Sequence, residues 1–82
     1  MTHELKCWPN EFNAVLRGQK KFEFRKNDRD FRAGEYLLLR EWEPTEDKYS
    51  GLELRVYITY ILTEGFGLPE GYCIMSIREE QI

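Results

Sequence analysis

Lys20, Glu23 and Arg25 lie within six residues of one another, and their side chains are of types that together could bind a polar ligand. The ammonium group of Lys20 and the planar guanidinium group of Arg25 donate hydrogen bonds to phosphate, carboxylate or carbonyl oxygens. Glu23 only accepts, so it could bind an exocyclic amine or hold Lys20 in place. The alternative is a surface ion network of Glu23, Arg25 and Lys21, which would stabilise the protein very little.

The distribution of charge supports a local binding site. The 82 residues include 12 basic and 15 acidic side chains, and the net charge of −3 argues against a protein that coats duplex DNA by charge alone. Residues 17–32, however, contain seven basic and three acidic side chains and carry +4, which leaves −7 on the rest of the chain. Within this segment Lys21, Lys26 and Arg29 are predicted to attract phosphate from outside the site. A lysine-rich, solvated edge strand would show the same pattern.

The composition excludes several classes of site. His3, Cys7 and Cys73 are the chain's histidine and cysteines. His3 precedes the predicted helix, so its spacing from Cys7 does not place both on one helical face, and we predict no metal and no cofactor. Buried, reduced thiols are expected instead. No apolar run approaches the ~18 residues of a membrane span, so no membrane partner is predicted. The N-terminus lacks the apolar segment of a signal peptide, which makes the cytoplasm the expected compartment.

A short helix is predicted immediately before the polar site, over residues 8–18. Its apolar face has the spacing i, i+4, i+7 and i+8, formed by Trp8, Phe12, Val15 and Leu16. Pro9 suits the first helical position, and Gly18 can adopt the left-handed conformation that ends a helix. A helix of this length is too short to persist alone in water, so it must pack on the rest of the domain.

The rest of the chain has the patterns of β-strands, predicted over residues 20–26, 35–42, 52–63 and 72–77, with a further short strand around Leu5. In the first strand, Phe22 and Phe24 share one side and are expected in the core. Glu23 and Arg25 share the other side, and Lys20 joins them only if it belongs to the preceding turn. In the longest strand, the even-numbered residues from 52 to 62 share a face.

These elements predict one mixed α/β, mainly β domain over residues 1–82. The expected architecture is a small, closed or half-closed β-barrel of about five to six strands with a short helix beside a cleft, and an open α+β sheet is the alternative. Trp8 and Phe12 are expected in the core. The residues that we expect to offer rings to a ligand are Trp42, Tyr49 and Tyr57. Phe66, in the glycine-rich loop, is expected either to line the mouth of the cleft or to anchor the loop.

Residues 18–25 have the form G-x-K-x-x-E-x-R directly after the short helix, and this resembles the signature of the ASCH (activating signal cointegrator homology) domain. The likeness continues through residues 27–29 and 31–35 and covers nearly the whole chain, which is most similar to a compact bacterial and phage-borne subgroup. ASCH domains resemble PUA domains, small β-barrels with a helix beside a cleft that binds RNA or a modified nucleobase. The resemblance therefore implies an RNA or nucleotide-like ligand, contacted by Lys20, Glu23 and Arg25.

The resemblance also raises the alternative of catalysis. Some small ASCH proteins are amidohydrolases that deacylate a modified cytidine with a lysine, a threonine and a glutamate. Lys20 corresponds to that lysine, but Glu23 occupies the position of the threonine, so the hydroxyl nucleophile is missing there. If the protein is an enzyme, Lys20 and Glu23 are the expected catalytic residues. Binding ranks first and hydrolysis second, and a protein-interaction module without nucleic-acid contact is the third hypothesis.

Overall fold

Five strands and one short helix make up the fold in the computed structural model, which describes residues 1–80. In chain order they are β1 (Thr2–Cys7), α1 (Pro9–Leu16), β2 (Phe22–Lys26), β3 (Tyr36–Glu43), β4 (Lys48–Leu62) and β5 (Tyr72–Glu79). All five strands form one sheet in the spatial order β1-β3-β4-β5-β2. β1 runs parallel to β3, and the other neighbouring pairs are antiparallel. The prediction of a mainly β, mixed fold with a helix near the N-terminus is confirmed.

The sheet curls so that its two outer strands, β1 and β2, face each other across a gap that we call the seam. Arg25 of β2 spans the seam, and its Nη2 atom donates a hydrogen bond of 3.0 Å to the backbone carbonyl oxygen of Lys6 in β1. The guanidinium group of Arg29 likewise donates to the carbonyl oxygen of Glu4. Arginine side chains thus link edges that a closed barrel would join by a backbone ladder, and the fold is a half-barrel.

Helix α1 lies within the predicted residues 8–18, and the two residues predicted to start and stop it do so. Pro9 occupies the first turn, where its missing N–H costs nothing. Gly18 has a φ angle of +76°, in the left-handed region, and its N–H donates to the carbonyl oxygen of Val15 at 3.0 Å. The N–H of Lys20 bonds to the carbonyl oxygen of Ala14 at 3.0 Å. Lys20 therefore belongs to the turn, which is the condition for its side chain to join Glu23.

The two faces of β2 are the reverse of the expected arrangement. Phe22 and Phe24 are 47% and 48% exposed, whereas the side chain of Glu23 is 1% exposed. The alternation of the sequence defines two faces, but the register with β5 selects the inner one. Glu23 lies opposite Met75, which is completely buried, and Phe24 lies opposite Ile74 on the outer face. The prediction that the two phenylalanines belong to the core is wrong.

Strand β4 keeps the predicted alternation only in its middle. Val56 and Ile58 are buried, but the register with β5 shifts between Ile58 and Tyr60, and Tyr60 is 63% exposed. A bulge of this kind adds one residue to a strand and exchanges its faces beyond that point. Leu52 is also exposed, because the β3–β4 hairpin extends past the core. The predicted single apolar face from residue 52 to residue 62 is therefore wrong at both ends.

The core lies between the concave side of the sheet and α1. Phe12 is buried there as predicted, but Trp8, one turn earlier, is 60% exposed, so its expected core position is wrong. Both cysteines are buried and unbridged, as expected. The buried apolar residues are Leu5, Cys7, Phe12, Val15, Phe31, Leu37, Leu39, Val56, Ile58, Cys73, Met75 and Ile77. Within residues 1–80, no helix has the length and apolar character needed to cross a membrane.

Candidate functional site

A cleft of about 280 Å³ opens where the end of β1, the start of α1 and the start of β2 meet. Its walls are both polar and aromatic, and they carry three cationic and two anionic side chains. The lining residues are Lys6, Cys7, Trp8, Glu11, Lys20, Glu23, Phe24 and Arg25. The three residues that the motif singles out thus line one cleft, in the half-barrel's seam.

Glu23 is the buried polar group at the centre of the cleft. Its Oε1 atom accepts a hydrogen bond of 2.9 Å from Nε of Arg25 and lies 2.8 Å from Nη2 of the same side chain, within ion-pair distance. Its Oε2 atom lies 3.2 Å from Nζ of Lys20, which is close enough for an ion pair, but the geometry is not that of a hydrogen bond. Oε2 therefore has no hydrogen-bond donor among the described residues. The ion pair with Lys20 compensates only in part for the water that this oxygen loses on burial, and buried oxygens without a hydrogen bond are unusual in native structures.

Lys20 is held between two carboxylates at the edge of the cleft. Its Nζ atom is 3.2 Å from Glu23 and 3.5 Å from Oε1 of Glu11, and it lies 5.3 Å from the ring centroid of Phe22. The side chain is only 15% exposed. The turn that ends α1 gives Lys20 this position, because a continuous β2 would have placed it on the opposite side from Glu23.

Arg25 has a structural role as well as a place in the cleft. Its Nε and Nη2 atoms bind Glu23 and the carbonyl oxygen of Lys6, whereas Nη1 takes part in neither contact. The side chain is 26% exposed. A guanidinium group has five N–H donors in a fixed plane, so Arg25 can link the seam and still contact a ligand.

The other three predicted binding residues do not line the cleft. Lys21 and Lys26 are exposed, and Arg29 lies across the seam. Conversely, the sequence pattern does not reveal Trp8 and Phe24 as cleft residues, because it assigns both rings to the core. One signal could have indicated Trp8, since it lies at the junction of a strand and a helix that starts with proline.

Cys7 is the cysteine that lines the cleft. Burial, followed by the negative charge of Glu23, raises the pKa of Cys7 from 9.0 to about 11, although Arg25 and Lys20 act in the opposite direction. The group is therefore protonated near neutral pH, and a protonated thiol is a poor nucleophile.

Exchanging Glu23 for glutamine is expected to make Cys7 more reactive, because removing the negative charge lowers its pKa while Lys20 and Arg25 remain. Near pH 8, the wild-type thiolate fraction is about a hundredfold below that of an unshifted thiol, and the variant should recover several-fold of that loss. Iodoacetamide labelling of the folded protein followed by peptide mass spectrometry measures the rate. Cys73 is the internal control, since burial and Asp28 raise its pKa. Equal acceleration of both thiols would indicate general loosening and contradict the electrostatic explanation.

His3 lies outside the cleft, and its buried ring already has a hydrogen-bond partner and a packing partner. Its Nε2 atom is 2.8 Å from Oε1 of Glu35, and its ring packs edge-on against Phe31 at 4.9 Å. This hydrogen bond also lowers the pKa of Glu35. Over residues 1–80, no three histidine, cysteine, aspartate or glutamate side chains form a group that could hold a metal ion.

Comparison with known proteins places the chain in a family. A protein of Escherichia phage P2, named "Uncharacterized 12.9 kDa protein in GpA 3'region", is 39% identical over 57 residues. The alignment covers 70% of this chain and 50% of the phage protein, so the similarity spans about half of the relative's length. A family model described as a domain of unknown function, DUF3850, matches residues 2–77. Because this match includes all five strands but for the last residues of β5, the chain belongs to the DUF3850 family.

Proposed function

We propose that this protein binds RNA or a nucleotide-like ligand in the cleft. The observation that carries the proposal is Glu23, a residue that lines the cleft and whose buried Oε2 atom has no hydrogen-bond donor among residues 1–80. A ligand N–H group, such as a nucleobase offers, would give this oxygen the hydrogen bond that its ion pair with Lys20 does not supply.

The other walls of the cleft suit the remaining parts of a nucleotide. Trp8 and Phe24 are 60% and 48% exposed and offer apolar ring surface to a planar base. Lys6, Lys20 and Arg25 supply positive charge for a phosphate. The volume of about 280 Å³ is near the lower end of ligand pockets, which start at roughly 300 Å³, so it suits one base or mononucleotide.

The position of the cleft is consistent with a PUA-like arrangement. A curled β-sheet, a helix beside it and the G-x-K-x-x-E-x-R motif at their junction are the features that the resemblance to ASCH domains implies. We accordingly propose an ASCH-type, PUA-like module, and we retain the cytoplasm as its expected compartment.

Replacing Arg25 with alanine tests the proposal. The affinity for a labelled single-stranded RNA of random sequence is expected to fall about tenfold or more near 50 mM salt. The salt slope should decrease by about 0.7 for each phosphate that the variant no longer neutralises. Fluorescence anisotropy over a salt series measures both quantities. Arg25→Lys keeps the charge but not the planar fork, so it should recover only part of the affinity.

Arg32→Ala is the matched control. Arg32 lies in the same basic segment and its side chain is 71% exposed, but its ion pair is with Asp30, outside the cleft. This variant loses the same charge and should bind RNA within about twofold of wild type. Equal losses in both arginine variants, or none in either, would refute this placement of the site, provided that circular dichroism shows both proteins folded.

Hydrolysis of an acylated cytidine is the second candidate, and the ion pair of Lys20 with Glu23 in the cleft is the observation that favours it. We rank it lower because none of the eight described residues that line the cleft has a hydroxyl group. The remaining nucleophile, Cys7, is held protonated by its raised pKa. Release of acetate from acetylcytidine by wild type, but not by Lys20→Ala, would reverse this order.

A further inference from the structure

The outer side of β2 and β5 carries aromatic rings that nothing in the described chain covers. The β4–β5 loop adds a further ring beside them. We call this surface the aromatic face and define it by Phe22, Phe24, Phe66 and Tyr72. These side chains are 47%, 48%, 95% and 37% exposed. An exposed cluster of large apolar side chains is uncommon on a protein that acts alone, and it usually marks a binding surface.

The rings form a connected surface with a groove beside it. Phe24 and Tyr72, on neighbouring strands, stack with their centroids 5.5 Å apart and their planes 29° from parallel. Phe22, Phe24 and Phe66 line an apolar groove of about 340 Å³, which Leu68 helps to close. Flat ring faces beside a shallow apolar groove are shaped to receive other planar groups.

Phe66 has an unusual backbone conformation. It has a φ angle of +54° between Gly65 and Gly67, whose φ angles are +90° and +80°. A bulky residue rarely adopts this left-handed conformation, and burial of its ring does not compensate, because the side chain is 95% exposed. Strain of this kind is characteristic of functional positions.

The aromatic face is continuous with the cleft. Phe24 lines both the cleft and the apolar groove. Lys20 also lies between them, since its Nζ atom is 3.2 Å from Glu23 and 5.3 Å from the ring of Phe22. Along β2, the alternation of side chains places Lys26 on the same outer face, beyond the two phenylalanines. A lysine therefore lies at each end of the row of rings: Lys20, whose ammonium group is ion-paired with Glu23 and Glu11, and Lys26.

We infer that a single strand of RNA held in the cleft continues across the aromatic face, where one or two flanking bases stack. The inference rests on the proposed function and extends it, because it makes the ligand an oligonucleotide rather than a free mononucleotide. Rings bordered by cations match bases joined by phosphates. A second copy of the chain fits less well, because a symmetric contact would bring Lys20 and Lys26 of both copies together.

The test measures how affinity depends on the length of the RNA. The probes are the four ribonucleoside 5′-monophosphates, measured by calorimetry, and a fluorescein-labelled RNA hexamer of random sequence, measured by anisotropy. Wild-type protein is expected to bind the hexamer at least tenfold more tightly than the best mononucleotide, since stacking one base on one ring contributes about a tenfold gain.

Two variants and one control assign the gain to the aromatic face. Phe66→Asn removes an exposed ring and introduces a residue that tolerates a positive φ angle, so folding should not change. We expect it to lose about fivefold or more of the hexamer affinity and to keep the mononucleotide affinity. Tyr72→Ser should act in the same direction. Tyr49→Ser is the matched control, because Tyr49 is also 37% exposed and also packs on another ring, that of Trp42. Its sequence position predicts a ring offered to a ligand, but Tyr49 lies in the β3–β4 hairpin and lines neither the cleft nor the apolar groove.

Each outcome decides the inference. A gain with length that persists in Phe66→Asn and Tyr72→Ser, or one that Tyr49→Ser reduces equally, would overturn it. Mononucleotide binding with no gain in wild type would overturn it and leave the proposed function intact. Failure of wild type to bind either probe would refute the proposed function and this inference with it. Sedimentation that shows a dimer dissociated by Phe66→Asn would assign the face to a second copy instead.

Discussion

Glu23→Ala is expected to lower the free energy of unfolding by about 2–4 kcal/mol and to abolish binding of RNA or nucleotides. The substitution removes the shared counter-charge of Lys20 and Arg25, whose side chains are 15% and 26% exposed. Breaking a buried ion pair costs about 3–5 kcal/mol, and we reduce this figure because both cations reach solvent. Urea unfolding followed by tryptophan fluorescence measures the stability, and calorimetry measures the binding.

Glu53→Ala provides the comparison for stability. Glu53 pairs with Nε of Arg40 at 3.1 Å on the surface, where its side chain is 45% exposed. Removing such an exposed pair should cost at most about 1 kcal/mol. Glu23→Gln separates the two effects, because it keeps the shape and an acceptor oxygen. It should retain more stability than Glu23→Ala, yet bind ligand about ten- to a hundredfold more weakly. Equal stabilities of Glu23→Ala and Glu53→Ala would contradict the central role assigned to this carboxylate.

Phe12→Ala is expected to cost about 3–5 kcal/mol of stability, the usual range for removing a buried phenylalanine ring. Phe12 is 2% exposed and packs within the main core cluster. Because small domains have total stabilities near the lower end of about 5–15 kcal/mol, this variant should retain only about 0–2 kcal/mol and be partly unfolded near 37 °C. Denaturant titration measures the loss, and Phe12→Leu should recover more than half of it.

Trp8→Ala should behave in the opposite way, although the two residues share a helix face by spacing. Trp8 is 60% exposed and lines the cleft. Its removal should change stability by less than about 1 kcal/mol and weaken ligand binding about five- to tenfold, the effect of losing one stacking partner. A Trp8→Ala protein that is as unstable as Phe12→Ala would show that the ring belongs to the core, as the spacing alone suggests.

Local patterns predict the elements of this fold well. Pro9 and Gly18 bracket α1 because both act through their own backbone: one lacks an N–H, and the other adopts a left-handed φ angle without strain. The predicted strands also agree with the structure to within a few residues, because the alternation of side chains that predicts each strand is local too. The exception is β4, which begins four residues before the predicted Leu52. That extension is polar and exposed, so it has no buried face for a sequence pattern to reveal.

The candidate site is only partly visible in the sequence. The motif brings Lys20, Glu23 and Arg25 together because a turn and a short strand join them directly. Trp8 precedes α1 and reaches the cleft from another wall. Phe24 lies on the face of β2 that the sequence pattern assigns to the core, although the ring is exposed. Ring-bearing residues are ordinarily assigned to the interior of a small domain, since they bury the most area. The tertiary structure instead places these rings at the cleft.

The sequence alone determines that a segment with a net charge of +4 lies within an otherwise acidic chain. It also determines that a helix ends directly before the strand that contains Glu23. The inward direction of Glu23, in contrast, depends on contacts between distant parts of the chain. A strand that alternates charged and aromatic residues has two possible faces, and its local pattern does not say which one the neighbouring strands cover. Pairing with Met75 on β5 makes that choice, and Lys20 and Arg25 supply the opposite charges that make a buried carboxylate tolerable.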